Sequence, residues 1–103
     1  MPEISLEDKY ALHKQLADSL NPTYRAKNTD YDDSVGKSIT ELGYIAVIAR
    51  MEDKMNRSKR LLMNPDATPN VNESVEDTLL DLANYALMAC TEYKLRTAAE
   101  AEK

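Results

Sequence analysis

Apolar residues recur along this chain at intervals of three and four, and the pattern divides into segments that open on capping residues. Leu6, Tyr10, Leu12, Leu16 and Leu20 follow Ser5, and Asp8 stands three residues beyond it in a capping-box position; this spacing predicts a helix from about Ser5 to Leu20. Asn21-Pro22 has the form of an N-cap followed by a first-turn proline, which predicts a short second helix over roughly Pro22 to Asn28. Lys27 to Ser34, rich in Asn, Asp, Thr and Ser, reads as a loop entering the next helix. Tyr44, Ile48, Met51, Met55 and Leu62 then mark one stripe of a helix from Ile39 or Gly43 to Met63, with Gly36 and Gly43 weakening the pattern ahead of it. Asn64 to Asn70, interrupted by Pro65 and Pro69, reads as a loop. A last helix starts at Glu73 or Ser74, where Ser74 and Asp77 repeat the capping box, and runs to Arg96 or beyond. Its seam is Val75, Leu79, Leu82, Ala86, Ala89 and Tyr93, widened by Leu80, Ala83, Leu87 and Cys90 on one side and Tyr85 on the other. An apolar arc this broad exceeds what one neighbouring helix covers and predicts burial against several helices, some from another subunit.

Composition agrees with helix. Two glycines, no Trp and no Phe, set beside abundant Ala, Leu, Glu, Lys, Asp and Met, suit packed aliphatic seams better than sheets. The expected fold is all-α: a four- to five-helix bundle forming a single domain over residues 1–103, completed by homo-oligomerisation because a chain this short buries little core alone. The net charge is −5 and the cations are interleaved with acids, which argues against duplex nucleic acid as a partner while allowing a local basic site for one or two phosphates. The longest apolar run, Tyr44 to Ala49, is too short to span a bilayer, and no signal-type segment opens the chain; the expected location is the reducing cytoplasm. The lone Cys90 reads as a small core residue, and His13, without Cys or Asp company, as an exposed surface histidine. Gly-rich phosphate loops and dinucleotide fingerprints are absent from the sequence.

Three constellations carry candidate chemistry. On the last helix Asp77, Asp81 and Asn84 stand at i, i+4 and i+7, with Glu73 one turn earlier. Such a row of carboxylates suits a hard cation such as Mg²⁺ bridging to phosphate, and equally suits the solvated side of an amphipathic helix. On the preceding helix Arg50 and Arg57 lie two turns apart around Asp53 and Lys54: a guanidinium clamp for a polyphosphate, or intrahelical ion pairing by Asp53. Lys27, Asn28, Asp30 and Tyr31 offer a cation, hydrogen-bonding groups and an aromatic face for a base, or an ordinary polar turn.

Taken in order, Lys27-Asn28-x-Asp30-Tyr31, Arg50-x-x-Asp53-Lys54-x-x-Arg57 and Glu73-Ser74-x-x-Asp77-Thr78-Leu79-x-Asp81-Leu82-Ala83-x-Tyr85-Ala86 resemble the nucleotide modification associated domain 1 family, over roughly Pro22 to Tyr93. The resemblance implies an all-α domain with a nucleotide connection, in a family common in bacteriophages and prophages. The last motif is also similar to the distant MazG-type nucleoside triphosphate pyrophosphohydrolases, in which acids on facing helices hold Mg²⁺; by that similarity Glu73, Asp77 and Asp81 would be metal ligands, with Asp53 facing them. Two departures stand out. Arg50 and Arg57 surround Asp53 where those enzymes carry paired glutamates, so the site would hold fewer metal ions and more phosphate. Asp32 occupies a position where the family usually has glycine, which predicts an altered loop backbone.

Three functions follow as expectations. One is a phage-type protein that binds a linear or cyclic nucleotide, sequestering a second messenger of host antiviral defence. Another is a Mg²⁺-dependent pyrophosphohydrolase acting on the nucleotide pool. The third is a helical interaction module. The first two require the arginines of one helix and the acids of the next to point into a common site.

Overall fold

The computed structural model describes residues 3–64, 66–68 and 73–102. It is all-α, with four helices and no strand among the described residues: α1 (Leu6–Asp30), α2 (Ser34–Leu42), α3 (Ile45–Met63) and α4 (Val75–Ala101). The chain forms two compact units, Met1–Asp32 and Asp33–Lys103.

The first unit is built on α1. Ser5 caps it as expected, its hydroxyl accepting from the Asp8 N–H at 3.1 Å. The predicted break at Asn21-Pro22 is absent, and the two expected helices are one, with Pro22 inside. Proline there removes one N–H and crowds the Asp18 carbonyl, a cost of about 3 kcal/mol. Asp18 and Pro22 are both exposed, where solvent offsets part of that cost, and the helix-forming residues on either side carry the helix through. As a result Lys27, Asn28 and Asp30 lie on the last turn of α1 and not in a loop; Tyr31 is the C-cap, its N–H donating to the Lys27 carbonyl at 2.9 Å. Only Tyr31 to Asp33 connect α1 to α2.

That connection turns on two left-handed residues, Asp32 at φ 51° and Asp33 at φ 54°. Asp32 adopts a positive φ that glycine favours, a conformation Asp tolerates better than most side chains.

In the second unit the helix expected from Ile39 or Gly43 to Met63 begins at Ile45, next to the later of the two starts, and residues 34–42 ahead of it form the separate helix α2. Gly43, at φ 85° and ψ −174°, ends α2, and its N–H donates to the Ile39 carbonyl at 2.8 Å. This turn brings Val35 and Ile39 of α2 over Val47 of α3, forming a small core against Tyr85, Met88 and Ala89 of α4. The segment read as a loop over 64–70 falls partly outside the described residues. Helix α4 begins at the predicted place: Ser74 accepts from the Asp77 N–H at 3.0 Å while Asp77 Oδ2 accepts from the Ser74 N–H at 3.2 Å.

Helices α3 and α4 run antiparallel, since Tyr44 meets Tyr93 while Arg57 meets Thr78. The face α3 turns inward is Val47, Arg50, Lys54, Arg57, Ser58 and Leu61. The stripe Tyr44, Ile48, Met55 and Leu62 is exposed, with only Met51 half-buried. The seam of α4 is likewise rotated: Thr78 and Asn84 are buried, while Leu79, Ala86 and Tyr93 are exposed. Cys90 lies exposed on the same flank instead of in the core. The physical reason is one of pairing. Charged and hydroxyl groups of α3 and α4 find complementary partners in each other, and that match sets the rotation of both helices.

Gly43 has no atom within 4 Å of where a Cβ would stand, so Gly43→Ala tests backbone strain without steric conflict. We expect a loss of about 1–3 kcal/mol in urea unfolding, because ψ near 180° at this positive φ is accessible essentially to glycine alone.

Candidate functional site

The polar seam between α3 and α4 contains most of the residues singled out in the sequence. Lys54 projects from the middle of α3, and its Nζ lies 2.9 Å from Glu73 Oε1 and 3.1 Å from Asp81 Oδ2. One turn further, Arg57 donates from Nε to the Thr78 hydroxyl at 2.9 Å and from Nη2 to the Glu73 carbonyl. The Thr78 oxygen is 2.9 Å from Glu73 Oε1 and 3.0 Å from the Ser74 carbonyl, so its single proton is shared between two acceptors. Ser58, buried beside them, donates to the Lys54 carbonyl at 2.8 Å. Fully buried Thr78 is the hub that sequence reasoning left without a role. A threonine inside the acidic motif Asp77-Thr78-Leu79-x-Asp81, one turn after a cap, was the signal for it.

The electrostatics follow from these distances. Burial opposes the charge on Lys54, but its bonds to Glu73 and Asp81 outweigh that and hold its pKa above the ordinary lysine value of 10.5. The Lys54 ammonium, followed by the Thr78 hydroxyl, holds the Glu73 carboxyl below its usual 4.5 against the opposing effect of burial.

The remaining sequence candidates are placed differently. Arg50 turns toward α2, where Nη2 lies 3.5 Å from Ser38 Oγ, at the limit of a hydrogen bond. It does not join Arg57 in a two-arginine clamp on the Lys54 network. Asp53 is exposed on the outer side of α3. Asp77 is engaged as the N3 residue of the capping box, and Asn84 is buried one turn beyond Asp81. Lys27, Asn28, Asp30 and Tyr31 belong to the first unit, where Asn28 is half-buried and the other three are exposed.

Mg²⁺ can be judged by the donor set. Glu73 and Asp81 converge, but the cation between them is the Lys54 ammonium, and Asp77 has turned to its cap. Among the described residues there is no group of three His, Cys, Asp or Glu able to hold a metal ion. A hard divalent ion wants several oxygen ligands and would have to displace the lysine, so this arrangement does not fit one.

A second polar cluster was not foreseen. Arg96 Nη2 donates to the Gly36 carbonyl and to Thr40 Oγ1, both at 3.0 Å, and to Glu92 at 2.9 Å. It fastens the far end of α4 to α2 beside a cavity of about 520 Å³ lined by Lys37, Thr40, Glu41 and Arg96 among others. Among the described residues no helix is long and apolar enough to cross a membrane.

A small all-α protein whose inner seam carries cations already neutralised by acids is therefore the class that fold and site define. Residues 27–92 match nucleotide modification associated domain 1, and the chain belongs to that family. No curated protein and no solved structure matches the chain.

The linked shifts make a pH prediction. With its pKa lowered, Glu73 contributes stability that is present above about pH 4.5 and lost as pH falls through its folded value; Lys54, with its pKa raised, contributes below about pH 10.5 and ceases to as pH rises through its own. Lys54→Met takes the cation away from both carboxylates. By removing the ammonium between Glu73 and Asp81, this change should lower the unfolding free energy at pH 7 by about 1–3 kcal/mol, and the rise in stability between about pH 3 and 5 should be shallower than in the wild type, in urea titrations across pH.

Proposed function

We propose that this protein binds a nucleotide through its phosphates without a metal ion, and captures it intact. The observation that carries the reading is Lys54, held between Glu73 and Asp81 with Arg57 alongside. These cations lie in a common, partly exposed seam, each about one-fifth exposed, and the acids that hold them are the groups a phosphate would replace. Phosphate oxygens offer an ammonium and a guanidinium the same charge-assisted bonds as carboxylates do, so binding is an exchange of partners in place. Membership of a nucleotide-associated family supports a nucleotide as the source of that phosphate. Capture of this kind suits sequestration, in which a nucleotide is withheld from another protein.

Exchange and metal catalysis make opposite predictions for one substitution. Under exchange Asp81 competes with the ligand for Lys54, so Asp81→Asn should tighten nucleotide binding several-fold. Under the Mg²⁺-dependent pyrophosphohydrolase reading Asp81 is a metal ligand, and the same change abolishes turnover. The test is calorimetry with a panel of linear and cyclic nucleotides, with EDTA or Mg²⁺, followed by heat release and analysis of the ligand. The expected result is EDTA-insensitive binding and intact nucleotide on release. Monophosphate and pyrophosphate appearing only with Mg²⁺ would overturn the proposal, and so would an absence of binding across the panel.

A further inference from the structure

Four cations are half-buried among the described residues: Arg50, Lys54 and Arg57 on α3, and Arg96 on α4. Three of them meet a carboxylate, Lys54 and Arg57 that of Glu73 and Arg96 that of Glu92. Arg50 is the exception. Its one hydrogen-bonding partner among the described residues is the neutral Ser38 hydroxyl, 3.5 Å from Nη2. A guanidinium carries several N–H donors, and drawing it partly out of water with no acid beside it is costly. A group in that position needs an acceptor from outside the chain. The Ser38 hydroxyl is half-buried too, and its one hydrogen bond among the described residues is this same contact, in which it accepts. Its own proton is therefore available. Two donors 3.5 Å apart, one charged and one neutral, both reach a single oxygen placed between them at ordinary hydrogen-bond length.

We propose that Arg50 and Ser38 form an oxyanion subsite that takes one phosphate of the ligand, while Lys54, one turn further along α3, takes the next. Arg50 and Lys54 share the inward face of α3 and stand four residues apart, a rise of about 6 Å. Long side chains at that spacing span two phosphates of one molecule, whether joined as a diphosphate or held apart by a sugar. The two subsites differ in what a phosphate must displace. At Lys54 it has to replace Glu73 and Asp81. At Arg50 no carboxylate of the described residues stands in its way. The Arg50 subsite is therefore occupied first and holds the ligand while the exchange at Lys54 proceeds. A ligand with two phosphates is favoured over one with a single phosphate, because the second contact is made by a molecule already held. Anion binding at Arg50 stands apart from the nucleotide reading above; the bridge to Lys54 rests on it.

The test follows the Arg50 and Arg57 side-chain Nε–H signals and the Ser38 and Thr78 amides by heteronuclear NMR of the full chain. The probes are orthophosphate, pyrophosphate, and adenosine and guanosine diphosphates, all in EDTA. Orthophosphate should move Arg50 and Ser38 alone. Pyrophosphate and the diphosphates should move all four signals and bind about tenfold more tightly than orthophosphate. Arg50→Gln should weaken pyrophosphate about tenfold and Ser38→Ala about threefold. The urea midpoint of both variants should match the wild type, because no acid of the described residues pairs with Arg50. Responses at Arg57 and Thr78 with none at Arg50 and Ser38 would overturn the subsite and leave the exchange at Lys54 standing. Responses confined to Arg50 and Ser38 with every probe would overturn the bridge, and the exchange at Lys54 with it. Pyrophosphate binding no tighter than orthophosphate overturns the preference for two phosphates. A lower urea midpoint for Arg50→Gln would make Arg50 a structural residue and overturns the subsite.

Discussion

The Lys54 ammonium, held between carboxylates from two points of the neighbouring segment, is the constraint around which the second unit is arranged. Leaving a cation that is only about one-fifth exposed unpaired is costly, and Asp81 on α4 together with Glu73 just ahead of it meets Lys54 there. Arg57 adds a second requirement one turn on, because its fork spans the Thr78 hydroxyl and the Glu73 carbonyl together. Shifting α4 by one residue would turn Thr78 and Asp81 about 100° away and break every one of these bonds. Polar pairing therefore fixes the register more sharply than Val47 packing on Tyr85, Met88 and Ala89 would alone. Among the described residues no buried side-chain polar atom is left without a partner, as such a network requires.

A polar seam has a consequence for the apolar residues. A helix has one side for its neighbour, and here α3 spends it on Arg50, Lys54, Arg57 and Ser58, so its aliphatic stripe must lie to the flank. Among the described residues Val35, Ile39 and Val47 form the buried apolar cluster, and they do so where α2 comes in over the N-terminal end of α3. The positive-φ turn at Gly43 is what makes that approach possible. Arg96 holds the opposite arrangement in place, tying α4 to the Gly36 carbonyl and Thr40.

Local signals in the sequence were legible and long-range ones were not. The capping boxes named the starts of α1 and α4 because a cap involves only residues three apart. Pro22 misled because a proline's cost depends on whether water can reach the freed carbonyl, which no dipeptide reveals. Gly43 was offered as one of two starts for the helix ending at Met63, but the separate helix ahead of it was not seen, because Gly36 and Gly43 weakened the pattern there. Periodicity grouped Tyr44 with Ile48, Met55 and Leu62, but hydropathy alone says which residues share a face and not which face is inward, and this face is exposed. The arginine and acid rows were found, and the structure brings Lys54, Arg57, Glu73 and Asp81 together. Sequence gave no means of seeing that Arg50 would turn to Ser38, that Asp77 would be taken by its cap, or that a lysine would occupy the space between the two acids.

The same lysine bears on the choice between holding a nucleotide and cleaving it. Catalysis requires groups that interact more strongly with the transition state than with the bound substrate. An ammonium already satisfied by two carboxylates must first give up those bonds, and it gains comparable ones from a ground-state phosphate; the exchange offers little further stabilisation as charge develops during P–O cleavage. Metal-assisted cleavage has the opposite logic, in which acids stay on the ion and the ion stays on the reacting phosphate throughout. Under the proposed exchange, Glu73 and Asp81 would act as gate partners for Lys54, giving it up to an incoming phosphate. That arrangement would favour capture over cleavage, with the carboxylates setting affinity instead of performing chemistry.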